Sequence, residues 1–148
     1  MKNLYLFTFI ILTFFTNCHS PQKSKEIQRY NNYINTINTN ENNKLFIFVP
    51  LDMCSTCFTN FIEFINTIES NKIFVVFVGK TKKDYLIKTR KITNKEIAFF
   101  AKFSNQNIFI NKSNIAIVEK TDNKIFLTKY PENNAYKITK KINEFLKK

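Results

Sequence analysis

The sequence predicts an α/β domain in which a mixed sheet carries helices on both of its sides, and three patterns lead there. Leu45–Val49 and Ile73–Val78 are short, unbroken apolar runs, the form taken by strands buried on both faces. Between them, Phe58, Phe61, Ile62, Ile65 and Ile68 recur at helical spacing. Further on, Ile115–Glu119 and Lys124–Thr128 flank the turn-rich spacer Thr121-Asp122-Asn123 and read as a hairpin.

The elements follow in order. The first strand ends at Pro50, which has no N–H to give to a ladder. A helix over about 55–70 comes next, and the second strand stops at Gly79, the only glycine in the chain. Two buried strands joined by a helix make a right-handed βαβ unit with a parallel pair. Thr81-Lys82-Lys83-Asp84 and Thr93-Asn94-Lys95-Glu96 both have the look of helix starts, the second with capping-box spacing. They predict helices over about 83–91 and 94–103. Ile108-Phe109-Ile110 reads as a short extra strand. After the hairpin, a last helix starts beyond Pro131 and carries Ile138, Ile142, Phe145 and Leu146 on one face. The order is β-α-β-α-β-β-α, with no internal repeat and no second domain.

Composition sets the limits. The chain has 148 residues, 44% of them hydrophobic and 17 of them Phe, so it is too apolar to be disordered and its core is aromatic-rich. The formal net charge is +12. The lysines are scattered, and the abundance of Lys, Asn, Ile and Phe beside scarce Gly and Ala matches a genome poor in G and C. No nucleic-acid recognition motif accompanies the charge, so no nucleic-acid partner is expected.

The chain divides into an export signal over 1–17, a cysteine with a polar segment over 18–43, and the α/β domain over 44–148. Met1-Lys2-Asn3 forms a positive start, and Leu4–Thr16 is apolar but shorter than the ~20 residues of a spanning helix. The apolar run closes with Phe15-Thr16-Asn17-Cys18. A cysteine directly after such a run resembles the bacterial lipoprotein signal. The resemblance implies cleavage just before Cys18 and a lipid on its thiol, although Phe15 and Asn17 replace the Leu and small residue usual in that pattern. An uncleaved signal anchor and ordinary secretion are the alternatives. All three place the domain outside the cytoplasm, and the lipid-anchored reading places it in the bacterial cell envelope, periplasm-facing or extracytoplasmic.

Two readings stay open for residues 19–43. One is a solvated tether spanning at most about 80–90 Å when fully extended. The other is a helix capped by Ser24, with Ile27, Tyr30, Ile34 and Ile37 along one face.

Chemistry concentrates at Cys54-Ser55-Thr56-Cys57, where the first strand gives way to a helix. The spacing alone also serves zinc. Zinc, however, takes four ligands, or three plus water, and the chain has three cysteines and one His, of which Cys18 and His19 stand at the N-terminal end. No metal is expected. A helix N-terminus stabilises a thiolate at Cys54, and Cys57, one turn on, lies on the same side. A disulfide closing so short a loop adds little stability, which favours disulfide exchange over a structural bridge. Asp52 is either a modulator of the Cys54 thiolate or a solvated loop carboxylate.

Strand, Cys-x-x-Cys, helix, strand, helix, hairpin, helix is the layout of the thioredoxin superfamily. Residues 44–148 resemble its periplasmic, membrane-anchored thiol-disulfide oxidoreductases. The resemblance implies a three-layer sandwich, Cys54 as exposed nucleophile, Cys57 as resolving cysteine, and Ser113-Asn114 as the loop meeting substrate. It implies protein thiols or disulfides and a redox partner as partners, membrane attachment through the N-terminal lipid, and no cofactor. Four places differ from the family: Met53 stands for its Trp, Ser55-Thr56 for Gly-Pro, Phe48 for a buried Asp, and Ser113-Asn114 for the cis-proline loop. The competing expectation is a redox-inactive binding or structural lipoprotein of the same fold.

Overall fold

The computed structural model describes residues 21–37, 44–79, 90, 96–101, 114–121 and 124–148. The described elements are α1 (Pro21–Thr36), β1 (Lys44–Pro50), α2 (Ser55–Asn66), β2 (Ile73–Gly79), β3 (Glu96–Ala101), β4 (Asn114–Lys120), β5 (Ile125–Pro131) and α3 (Ala135–Leu146). The strands form one mixed sheet in the order β3-β2-β1-β4-β5. β1 runs parallel to β2, and β2 parallel to β3. β4 runs antiparallel to both β1 and β5. The expected α/β class and mixed sheet are what the chain adopts.

The two apolar runs occupy the middle of this sheet, and every residue of β1 and β2 is buried. The pleat sends alternate side chains to opposite faces. Leu45, Ile47, Val49, Ile73, Val75, Phe77, Ile115 and Ile117 meet α2 and α3, whose own core residues include Phe61, Ile65, Ile138 and Ile142. Phe46, Phe48, Phe74, Val76, Val78, Ala116 and Val118 meet Tyr30, Tyr33 and Ile34 of α1. Full burial of each large apolar side chain contributes about 1.5–3 kcal/mol, so neither face is stable uncovered.

Of the two readings of the N-terminal segment, the helix is the one observed. It begins at Pro21, a residue suited to a first helical position, so Ser24 lies inside the helix and does not cap it. Tyr30, Tyr33 and Ile34 are its buried residues, and burial pushes the Tyr33 hydroxyl up to about 12. Polar contacts help hold the helix to the far strands: Glu26 pairs with Lys129 of β5, and Lys120 of β4 donates to Asn35 Oδ1 at 3.4 Å.

α2 stops at Asn66, short of the expected 70. Thr67 closes it by donating its N–H to Phe64 O at 3.1 Å and its hydroxyl to the same oxygen at 2.7 Å. α3 is tied to β4 through Glu119, whose side chain is only 4% exposed and accepts from Lys141 Nζ at 2.9 Å and Lys148 Nζ at 2.6 Å. Burial acts to raise its carboxyl. The hydrogen bonds and charges of the two lysines together outweigh that and hold it below the usual carboxylate range.

The expectation for residues 94–103 is overturned. The segment expected as a helix over 94–103 contains β3, with Glu96–Ala101 paired in parallel with Phe74–Gly79. Thr93…Glu96 offers a helix cap worth about 1 kcal/mol. Parallel pairing along the otherwise open edge of β2 satisfies a whole row of backbone groups and wins. The expected helix over 83–91 and the strand at 108–110 lie outside the described residues.

Candidate functional site

β1, β2 and β5 run in the same direction, so Pro50, Gly79 and Pro131 end together at one edge of the sheet, where antiparallel β4 begins with Asn114. Ligands of open α/β sheets gather at such an edge, beyond the carboxyl ends of the strands. The Cys54-Ser55-Thr56-Cys57 segment lies there.

The loop that delivers Cys54 is seated from below. Leu51 and Met53 are buried, and the Leu51 N–H donates to Val78 O at 2.8 Å. Leu51 packs directly over Gly79. A Cβ on that residue would come within 2.6 Å of Leu51 Cδ1 and 3.2 Å of Leu51 Cβ, which gives the chain's sole glycine its place. Asp52, between the two anchors, is exposed.

Cys54 is the N-cap of α2, with φ −58° and ψ 142°. Its Sγ accepts the Cys57 N–H at 3.0 Å, and its carbonyl accepts the Phe58 N–H at 2.9 Å, the first bond of the helix. The two cysteines are joined in a disulfide with their Cα atoms 5.2 Å apart. Cys54 is exposed, whereas Cys57 is half-buried and packs against the core shared by α2 and α3.

A third group joins them that the sequence did not single out. Glu132 lies in the turn between β5 and α3, which the Asn134 N–H closes by donating to Pro131 O at 2.9 Å. Glu132 Oε2 accepts the Cys54 N–H at 3.2 Å. A carboxylate oxygen of Glu132 and both sulfurs lie within 4.8 Å of one another. These three are also the described residues whose atoms could in principle share a metal ion. While the disulfide stands, neither sulfur is the thiolate that coordination needs. No local pattern marks Glu132. Only the shared direction of β1 and β5 shows that Pro131-Glu132 emerges at the same sheet edge as Pro50 and the Cys54 loop.

Next to Cys57, a cavity of about 250 Å³ opens between α2 and α3, lined among others by Phe61, Phe64, Ile115, Ile138 and Glu132. It is mostly apolar, and among the described residues Glu132 is the one charged side chain on its wall.

The structure thus brings Cys54, Cys57 and Asn114 to one edge, with Asn114 in register with Pro131, the residue before Glu132. Cys18 and Ser113 lie outside the described residues. No helix among the described residues is long and apolar enough to cross a membrane. Comparison with protein-family models, with curated proteins and with solved structures finds no match to this chain.

Proposed function

We propose that this chain is an exported, membrane-anchored thiol-disulfide oxidoreductase of thioredoxin-like fold, working through Cys54 and Cys57. The observation that carries the reading is an exposed cysteine at a helix N-cap, bonded to a half-buried partner one turn on. Four strands in the order β2-β1-β4-β5, with α2 after β1 and α3 after β5, support the fold reading, and β3 is an addition at the edge beyond β2.

In the reduced form, the Cys54 thiolate attacks one sulfur of a substrate disulfide. A Cys54–substrate bond forms, and the other substrate sulfur leaves as a thiolate and takes a proton. Cys57, having lost its proton, then attacks Cys54 Sγ. The Cys54–Cys57 bond forms, the second substrate sulfur leaves, and two electrons have passed to the substrate. Run backwards, the same steps oxidise a dithiol. Protein thiols or disulfides are the proposed partners.

Alkylation tests the reading. With the pair reduced near pH 7, Cys54 should label much faster than Cys57, because it combines exposure with the helix terminus. Equal, slow labelling of both would favour the redox-inactive binding or structural lipoprotein.

The proposed anchor is Cys18. α1 begins at Pro21, so His19 and Ser20 alone separate Cys18 from the folded helix, a reach of about 10 Å even when extended. Anchored there, the domain stands against the bilayer surface and not on a long tether. Replacing Cys18 by Ser should leave an unprocessed precursor in the membrane fraction. Normal processing and release of soluble protein would remove the lipid anchor from the proposal.

A further inference from the structure

We propose that Glu132 lowers the reduction potential of the Cys54–Cys57 pair and so poises it to give electrons to other disulfides. The inference rests on the redox reading above and adds a direction to it.

Charge is the reason. In the oxidised pair both sulfurs are neutral, and the Glu132 carboxylate has nothing nearby to repel. Reduction consumes two electrons and leaves Cys54 and Cys57 as thiols or thiolates. Any thiolate then stands within 4.8 Å of a carboxylate oxygen. That separation is well inside the ~8 Å over which salt screens charges under physiological conditions. The carboxylate therefore disfavours the thiolate form of the reduced pair, and through it the reduced state wherever that thiolate is populated, and leaves the oxidised form almost untouched.

The opposing influence is the N-terminus of α2, which favours a thiolate at Cys54. It is equivalent to roughly half a positive charge, whereas the carboxylate is a full negative one. Moreover, one donor at that terminus, the Cys54 N–H, already serves Glu132 Oε2. Among the described residues, the two segments that meet at the pair carry no cation of their own. Leu51–Phe58 and Pro131–Tyr136 contain no lysine or arginine, and the other charged residue in them, Asp52, is also acidic. The low-polarity wall of the cavity beside Cys57 leaves little there to shield the repulsion.

Glu132→Gln keeps the shape and the acceptor for the Cys54 N–H while removing the charge. The test equilibrates the full chain with glutathione buffers of stated ratio, in which the disulfide plus two glutathione molecules gives the dithiol plus glutathione disulfide. Glu132→Gln should shift that equilibrium toward the dithiol by about tenfold or more, each tenfold being about 30 mV for a two-electron couple. Alkylation of reduced Cys54 near pH 7 should quicken in parallel. Glu132→Asp, which keeps the charge, should lie nearer the wild type. An unchanged or lowered potential in Glu132→Gln overturns the inference and leaves the redox reading standing. A wild-type disulfide that glutathione and dithiothreitol both fail to reduce overturns both.

Discussion

A Cys57→Ser variant is expected to accumulate in cells as a mixed disulfide between Cys54 and its substrate, with turnover falling to background. Cys54 is the exposed sulfur at the N-cap of α2, and in the proposed mechanism Cys57 releases what Cys54 has captured. Removing Cys57 leaves the first exchange step intact and deletes the second, so the reaction stalls with the partner bound. The adduct should run as a larger band on a non-reducing gel and vanish with dithiothreitol. Cys54→Ser should give no such band. Cys57 lies a turn down the helix, is half-buried and packs on the core, so it is less open than Cys54 to an incoming disulfide. If neither variant traps a partner while the wild-type disulfide stays oxidised against millimolar reductant, the chain is better read as a redox-inactive binding module.

The parts of the fold legible in the sequence are those where one physical signal acts alone. Leu45–Val49 and Ile73–Val78 are too short for helices and unbroken in apolar character, and they became the two central strands. Phe58, Phe61, Ile62 and Ile65 keep a period that no strand supports, and they are the buried face of α2. Where two signals compete, the sequence misleads. Glu96–Ala101 follows a helix-capping pattern and contains two alanines, yet the open edge of β2 draws it into the sheet. That edge exists only in the assembled fold, so no window of residues reports it. The N-terminal stripe was visible, but its register was not. Tyr33, off the predicted line, is buried, and Ile27 at its start is only half-covered. Within the site, the cysteines announce themselves by spacing. Glu132 does not, because its proximity to Cys54 arises from strand direction across a sequence separation of 78.

Phe48→Ala is expected to be the most damaging single change in the core, bringing the domain close to unfolding without altering its disulfide chemistry. Phe48 is 1% exposed and sits in mid-sheet, opposite Val76 of β2 and Ala116 of β4. Its ring meets Tyr30 edge-on with centroids 4.8 Å apart, and Tyr33 at 6.0 Å. Truncating a buried Phe to Ala costs about 3–5 kcal/mol. The lost ring contacts, worth about 0.5–1.5 kcal/mol beyond burial, place the change toward the upper end of that range. Against a total stability of about 5–15 kcal/mol, that is enough to leave a marginal domain largely unfolded. Ala116 is too small to fill the space, and the neighbouring strands are held in register by their ladders, so the cavity has little room to collapse. Phe126→Ala on the edge strand β5, where the ring is 49% exposed, should by contrast change stability by no more than about 0.5 kcal/mol. Phe48 occupies the place where the thioredoxin likeness would put a carboxylate. Here it faces α1, on the side of the sheet opposite α2 and Cys57. The folded fraction of Phe48→Ala should therefore keep the wild-type reduction potential. Urea unfolding should show a much lower midpoint with an unchanged slope. A loss below about 1 kcal/mol would mean that α1 is not docked on this face, and that the segment before β1 behaves as the solvated tether after all.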